Sequence, residues 1–214
     1  MKERGIIFNS EMVRAILDGR KTQTRRVMKV QPVLNGNWWE AYGAAWGKEN
    51  KSVPVVPCHS LANNCPYGQV GDRLWVRETW QGPLVDSEKA YDLFKDPAPY
   101  QKVENCVYKA DGGHAPEYID FDDKFRQGWR PSIHMPRWAS RITLEITGVR
   151  IERLNDISND DAKSEGCWYG RGGGVPDKAI TPSDQFPTLW EEIYGDGSWS
   201  SNPWVWVIEF EKAE

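Results

Sequence analysis

Six consecutive polar residues, Lys21-Thr22-Gln23-Thr24-Arg25-Arg26, are the densest group of chemically capable side chains in this sequence. A lysine amine serves as a base once its charge is suppressed. A threonine hydroxyl attacks a carbonyl carbon once its proton is taken. Two guanidiniums can line a rim for phosphate, a carbonyl oxygen or a nucleobase edge. The plainer reading of the same run is a solvated, charged edge strand. Strand alternation puts Lys21, Gln23 and Arg25 on one face and Thr22, Thr24 and Arg26 on the other. Lys21 and Thr24 therefore share a site only if Lys21 lies in the turn before the strand, and Gly19 makes such a turn available. Glu165 falls at the end of a short predicted helix, where the dipole disfavours a carboxylate. On the surface that costs little; buried, it needs a cation, which Lys21 or an arginine could supply. A Lys–Thr–Glu group would combine a nucleophile, a base or charge partner, and an orienting carboxylate.

Other candidates carry less. Glu78 and Glu145 lie within predicted strands, where glutamate is usually an outward residue, although one facing a barrel mouth could bind a base amino group. Cys58-His59 and Cys65 lack a CxxC pair, so no metal site is expected. His114 and His134 read as structural. There is no Walker loop, no GxGxxG after a strand and no HExxH, so no cofactor is expected.

The elements that must place these residues follow from period and punctuation. Ile6-Ile7-Phe8 predicts a strand, and Asn9 or Ser10 caps a helix from Glu11 to Asp18 that Gly19 ends. The segment from Leu74 to Thr79 alternates as a strand after the Gly71-Asp72 turn. Residues 141–151 alternate over the longest strand, with a further short one near Cys106–Lys109. Asp156 or Ser158 caps a brief helix closed by Gly166. Thr181-Pro182-Ser183 starts another, with Phe186, Leu189, Trp190 and Ile193 as its apolar stripe. Trp204 to Phe210 closes the chain as a strand. Loop-rich insertions are expected at about 31–70 and 81–128, and a hinge at Gly172-Gly173-Gly174. The whole reads as one α+β domain over 1–214 with a small curved sheet.

Composition sets the outer bounds. The chain has 12 Trp, 8 Tyr and 6 Phe, yet only 39% hydrophobic residues. Many indoles and few aliphatics suit packing around a small core or stacking on a flat ligand, and they argue against disorder. No apolar run reaches the roughly 18 residues of a membrane span, so no membrane partner is expected. A net charge of −4 argues against a basic coat for duplex nucleic acid but leaves room for a local basic pocket. With no signal peptide at the N-terminus, the cysteines read as reduced thiols and the protein as cytoplasmic.

The stretch from Ile16 to Arg26, containing Gly19-Arg20-Lys21-Thr22-Gln23-Thr24-Arg25-Arg26, resembles the signature of ASCH domains, a branch of the PUA-like superfamily. Gly71 to Glu78 is similar to the family's GD strand. Arg141 to Leu154 followed by Ile157-Ser158 resembles its long strand and following helix. Ala162-Lys163-Ser164-Glu165-Gly166 matches its A-x-x-E-G segment, and Val205 to Phe210 its closing strand. With His134 to Ala139 before the long strand, the arrangement looks like a larger subgroup common in phages and prophages. The matching segments cover roughly half the chain, and the insertions lie outside the family core. The resemblance implies a PUA-like β-barrel with flanking helices that recognises RNA or modified nucleosides. One bacterial branch hydrolyses the amide of N4-acetylcytidine with a lysine, a threonine and a glutamate, whose positions fall on Lys21, Thr24 and Glu165. There Thr24 would be the nucleophile. Lys21 would deprotonate it or stabilise charge on the acyl oxygen, and Glu165 would orient the lysine or relay a proton. Arg26, Trp75, Glu78 and Trp80 are the candidate substrate-binding residues, Trp75 and Trp80 by stacking on a base. The alternative readings are a non-catalytic binder of RNA or modified nucleobases and, behind it, a ribonuclease.

Overall fold

A computed structural model describes residues 1–57, 60–120, 124–167 and 181–213. In chain order the elements are β1 (Glu3–Ile7), α1 (Ser10–Leu17), β2 (Gln23–Val27), β3 (Val33–Asn35), β4 (Trp38–Ala41), β5 (Ala44–Gly47), β6 (Ser52–Pro54), α2 (Ser60–Asn64), β7 (Arg73–Arg77), β8 (Trp80–Gln81), α3 (Ser87–Lys95), β9 (Val107–Tyr108), β10 (Glu117–Ile119), β11 (Phe125–Gln127), β12 (Thr143–Arg153), α4 (Asn159–Ser164), α5 (Pro182–Tyr194) and β13 (Trp204–Lys212). The chain is α+β. Its main sheet has the strand order β1-β7-β12-β13-β2, with β6 also paired to β12. Among the described residues this path is open, with β1 and β2 at its ends. No helix among them is long and apolar enough to cross a membrane. Among the described residues Cys65, Cys106 and Cys167 form no disulfide with one another. Cys58, His59, Trp168 and the triple glycine at 172–174 lie outside the described residues.

The chain divides into two compact units. The first comprises Met1–Lys2, Asp18–Arg73 and Glu145–Glu211. Its centre is β13, where Trp204 to Ile208 are all buried. Alternation along a strand normally leaves one face wet; here both faces are covered. On one face Val205 and Val207 join Leu154, Ala162, Cys167, Phe186 and Trp190 of the α4–α5 layer. That layer is well stopped. Ser158 accepts a bond from the Asp161 N–H at 3.1 Å to cap α4, and Thr181 and Asp184 form a capping box on α5. Ile193, expected in the buried stripe of α5, is instead 42% exposed.

The insertion expected as loop between 31 and 70 contains a three-stranded antiparallel sheet, β3-β4-β5, as well as β6 and α2. Its strands are three or four residues long, too short to show a period in sequence. Tyr42 and Gly43, with φ of 52° and 75°, make the tight turn between β4 and β5. Trp39 and Trp46 are opposite each other in register, and both meet the Trp204 ring edge-on at 5.5 and 5.4 Å. The Arg153 guanidinium lies over the rings of Trp39 and Trp204. Three of the twelve indoles are therefore explained by packing alone.

The second unit comprises Glu3–Leu17, Leu74–Leu144 and Lys212–Glu214. Asn9 caps α1 through Met12 N–H at 2.9 Å, and Val13, Ala15 and Ile16 form its buried face. A small core gathers Trp80, Tyr108, Met135 and Ala139. The insertion at 81–128 holds α3 and a β10–β11 hairpin as well as loops.

Candidate active site

Lys21 sits in the turn between α1 and β2, as its sharing a site with Thr24 requires. Gly19, at φ 71°, reverses the chain after the helix, and the strand begins only at Gln23. Two backbone bonds fix the turn. Thr22 N–H donates to Ser164 O at 2.9 Å, and Phe210 N–H donates to Thr22 O at 2.9 Å. The end of α4 is thereby stitched to the start of β2, which sets Glu165 beside Lys21.

The Lys21 side chain has no exposed surface. Its Nζ donates to Glu165 Oε2 at 2.7 Å, to Glu165 O at 2.9 Å and to Gln23 O at 2.9 Å. Burial pushes the ammonium's pKa below its ordinary 10.5, with the Glu165 carboxylate opposing that fall and the Arg26 charge adding to it. Burial thus makes this lysine easier to deprotonate than one in water, while Glu165 opposes the loss of its proton.

The second cation on Glu165 is Arg25. Its NH1 donates to Glu165 Oε1 at 3.1 Å, while Nε donates to Glu152 Oε1 at 3.1 Å and NH2 reaches the same oxygen. Arg150 extends the network, donating from Nε to Glu152 Oε2 at 3.1 Å and from NH2 to Asp161 Oδ1 at 2.7 Å, with NH1 on Glu209. A planar fork suits Arg25 to bridge two carboxylates in a way a lysine cannot. Spacing near Lys21 gave no sign of this role. The available signal was the alternation of Arg150 and Glu152 on one face of a strand.

Thr24 is 97% buried on β2, on the opposite strand face from Arg25. Among the described residues no hydrogen bond joins its hydroxyl to Lys21 or Glu165. A cleft of about 300 Å³ is lined by Thr22, Gln23, Ser164, Thr147, Asp160, Asp161, Glu209 and Phe210, which include the chain neighbours of both Lys21 and Glu165. Gln23 is 97% buried, its Oε1 accepting from Arg150 NH2 at 3.2 Å.

No protein-family model, curated protein or solved structure matches this chain.

The sequence-based candidates divide between the units. Lys21, Thr24, Arg26 and Glu165 belong to the first, with Arg26 half-buried on the Thr24 face of β2. Trp75, Glu78 and Trp80 belong to the second. Trp80 is 1% exposed, with Trp138 edge-on at 5.6 Å and the Arg130 guanidinium over its ring. A ring so enclosed has no open face for a base, contrary to the stacking expectation. Trp75 is half-buried, carries Arg77 over its ring and packs so closely on Gly5 that a Cβ there would lie 2.9 Å from the indole. Trp38 keeps more surface open, at 55%. Glu145 is a surface residue 3.8 Å from Arg73.

Glu78 also differs from the expectation of a base-binding carboxylate. It is almost fully buried and held bidentately by Arg141, from Nε to Oε1 at 2.9 Å and from NH2 to Oε2 at 3.1 Å. Arg141 in turn stacks over Tyr108 with its guanidinium 4.0 Å from the ring centroid and bonds Asp111 at 2.8 Å. Burial raises the Glu78 pKa above 4.5, and Arg141 limits the rise. The folded state thus holds this proton more tightly than the unfolded chain does. Its contribution to stability falls as pH increases from the ordinary value through the raised one. Glu78→Gln is expected to flatten that part of the stability profile, measured as urea midpoints against pH; an unchanged slope would assign the pH dependence elsewhere.

Proposed function

We infer that the protein is an amidohydrolase that removes the acyl group from N4-acetylcytidine or a related N4-acylated cytosine nucleoside, within a PUA-like fold of the ASCH type. The observation that carries this reading is the buried Lys21–Glu165 pair, 2.7 Å apart and three residues from Thr24 in a segment that reads Lys-Thr-x-Thr-Arg. A lysine whose proton affinity is lowered by burial gives up its ammonium proton more readily and is better suited to take a hydroxyl proton than one in water.

In this mechanism neutral Lys21 accepts the proton of the Thr24 hydroxyl as Oγ1 bonds to the acyl carbon. The tetrahedral intermediate collapses with cleavage of the carbon–N4 bond, and Lys21 returns the proton to the departing cytosine amine. Water then attacks the threonyl ester, giving its proton by way of Lys21 to Thr24 Oγ1 as the carboxylic acid leaves. The balance is one amide and one water consumed, one acid and one cytosine nucleoside released. Glu165 aligns the Lys21 amine throughout. Thr24 Oγ1 must come within about 3 Å of Lys21 Nζ when substrate is bound, and Arg26, on the same strand face as Thr24, is placed to meet a polar edge of the substrate.

A panel assay separates this from the alternatives. Free N4-acylcytidines and short RNAs, with and without the acetyl mark, are incubated with protein, and released acid is quantified. Turnover of the acylated nucleoside supports the hydrolase. Salt-sensitive RNA binding without turnover would instead favour the non-catalytic binder, for which Trp38 offers an open ring.

A further inference from the structure

Glu165 is shared. Its Oε2 faces Lys21 Nζ at 2.7 Å and its Oε1 faces Arg25 NH1 at 3.1 Å, all three side chains being buried. Arg25 is in turn anchored from the other side by Glu152, and by Asp161 at 3.6 Å. The Arg25 guanidinium therefore competes with Lys21 for the Glu165 carboxylate, and it adds a like charge on the far oxygen of that carboxylate. Both effects act in the same direction.

We propose that Arg25 is a positioning residue that holds Glu165 between two cations and thereby sets the pH at which Lys21 gives up its proton. The inference rests on reading Lys21 as the base of the proposed hydrolase, and it concerns how that base is made available. Without Arg25, Glu165 would be the counter-ion of Lys21 alone and would keep it protonated to higher pH. The other charged or titratable groups acting on Lys21 among the described residues are Arg26 on β2, which favours the neutral amine, and Cys167, just after Gly166, whose thiolate would favour the ammonium. Glu152 and Asp161 act through Arg25. Burial is the largest influence lowering the proton affinity of Lys21, and the Arg25 contribution argued here acts through Glu165.

The test reads Lys21 itself. Protein is prepared with lysine carrying ¹³C at Cε, the Lys21 resonance is assigned by its loss in Lys21→Arg, and its chemical shift is followed against pH. In Arg25→Gln the midpoint is expected to rise by about one pH unit or more, the size of effect an opposite charge exerts at this range. In Arg25→Lys, which keeps a cation, it should stay near wild type. A folded Arg25→Gln protein with an unchanged or lowered midpoint overturns the proposal. If Arg25→Gln does not fold, Glu152→Gln decides: it turns the whole Arg25 charge toward Glu165 and should lower the Lys21 midpoint, whereas no change or a rise overturns the idea. The ascending limb of acetate release against pH should move with the midpoint. A midpoint that moves in a protein with no turnover keeps the Arg25 inference and removes the hydrolase reading. A purely structural role for Arg25 would lower activity at all pH without moving either curve.

Discussion

Thr24→Val is expected to reduce acetate release from N4-acetylcytidine by at least about 10⁴-fold, the scale on which loss of a nucleophile is felt. The same change should leave stability within about 1 kcal/mol of wild type. Valine keeps the branched shape and suits a strand. The hydroxyl it removes is 97% buried with its residue and makes no hydrogen bond among the described residues, so no partner is orphaned. Thr24→Ser, which retains the oxygen, should keep measurable turnover. If Thr24 is only a packing residue, valine will be silent in the activity assay.

Glu165→Ala should have the largest effect on the fold. It deletes the carboxylate that receives Lys21 Nζ on one oxygen and Arg25 NH1 on the other. Two cations with no exposed side-chain surface would then lose their shared counter-ion. Removing one side of a buried ion pair costs about 3–5 kcal/mol, which for a chain of this size lowers Tm by about 10 °C. Whatever folded protein remains should release no acetate, since Lys21 would lose the carboxylate that aligns its amine and stabilises the ammonium it becomes on taking the Thr24 proton. Calorimetry and the activity assay on the same sample read the two effects together. A Tm within a degree or two of wild type would mean that the Lys21–Arg25–Glu165 group contributes little to holding α4 on the sheet.

The parts of this site carried by local signals are legible in the sequence. Gly19 ends α1 and places Lys21 in a turn; Ser158 and Gly166 bracket α4 and so locate Glu165. What was not readable depends on partners distant in sequence. Arg25 finds Glu152 127 residues away, and no period or motif announces that pairing. Trp80 invited a stacking role because a tryptophan beside a strand is free until Trp138 and Arg130 close over it. Glu78 reads in sequence as a candidate base-binding carboxylate because its partner Arg141 lies 63 residues on. The ribbon of β3, β4 and β5 was missed for another reason: strands of three or four residues carry too few alternations to be seen.

We propose that Lys21, Thr24 and Glu165 together hydrolyse an acyl amide. The most direct test is to incubate N4-acetylcytidine with the wild-type protein and with Thr24→Val, and to quantify cytidine and acetate in each. Equal amounts of both products are expected from the wild type and none above background from the variant. An inert wild type, or a valine variant that turns over at the wild-type rate, would contradict it.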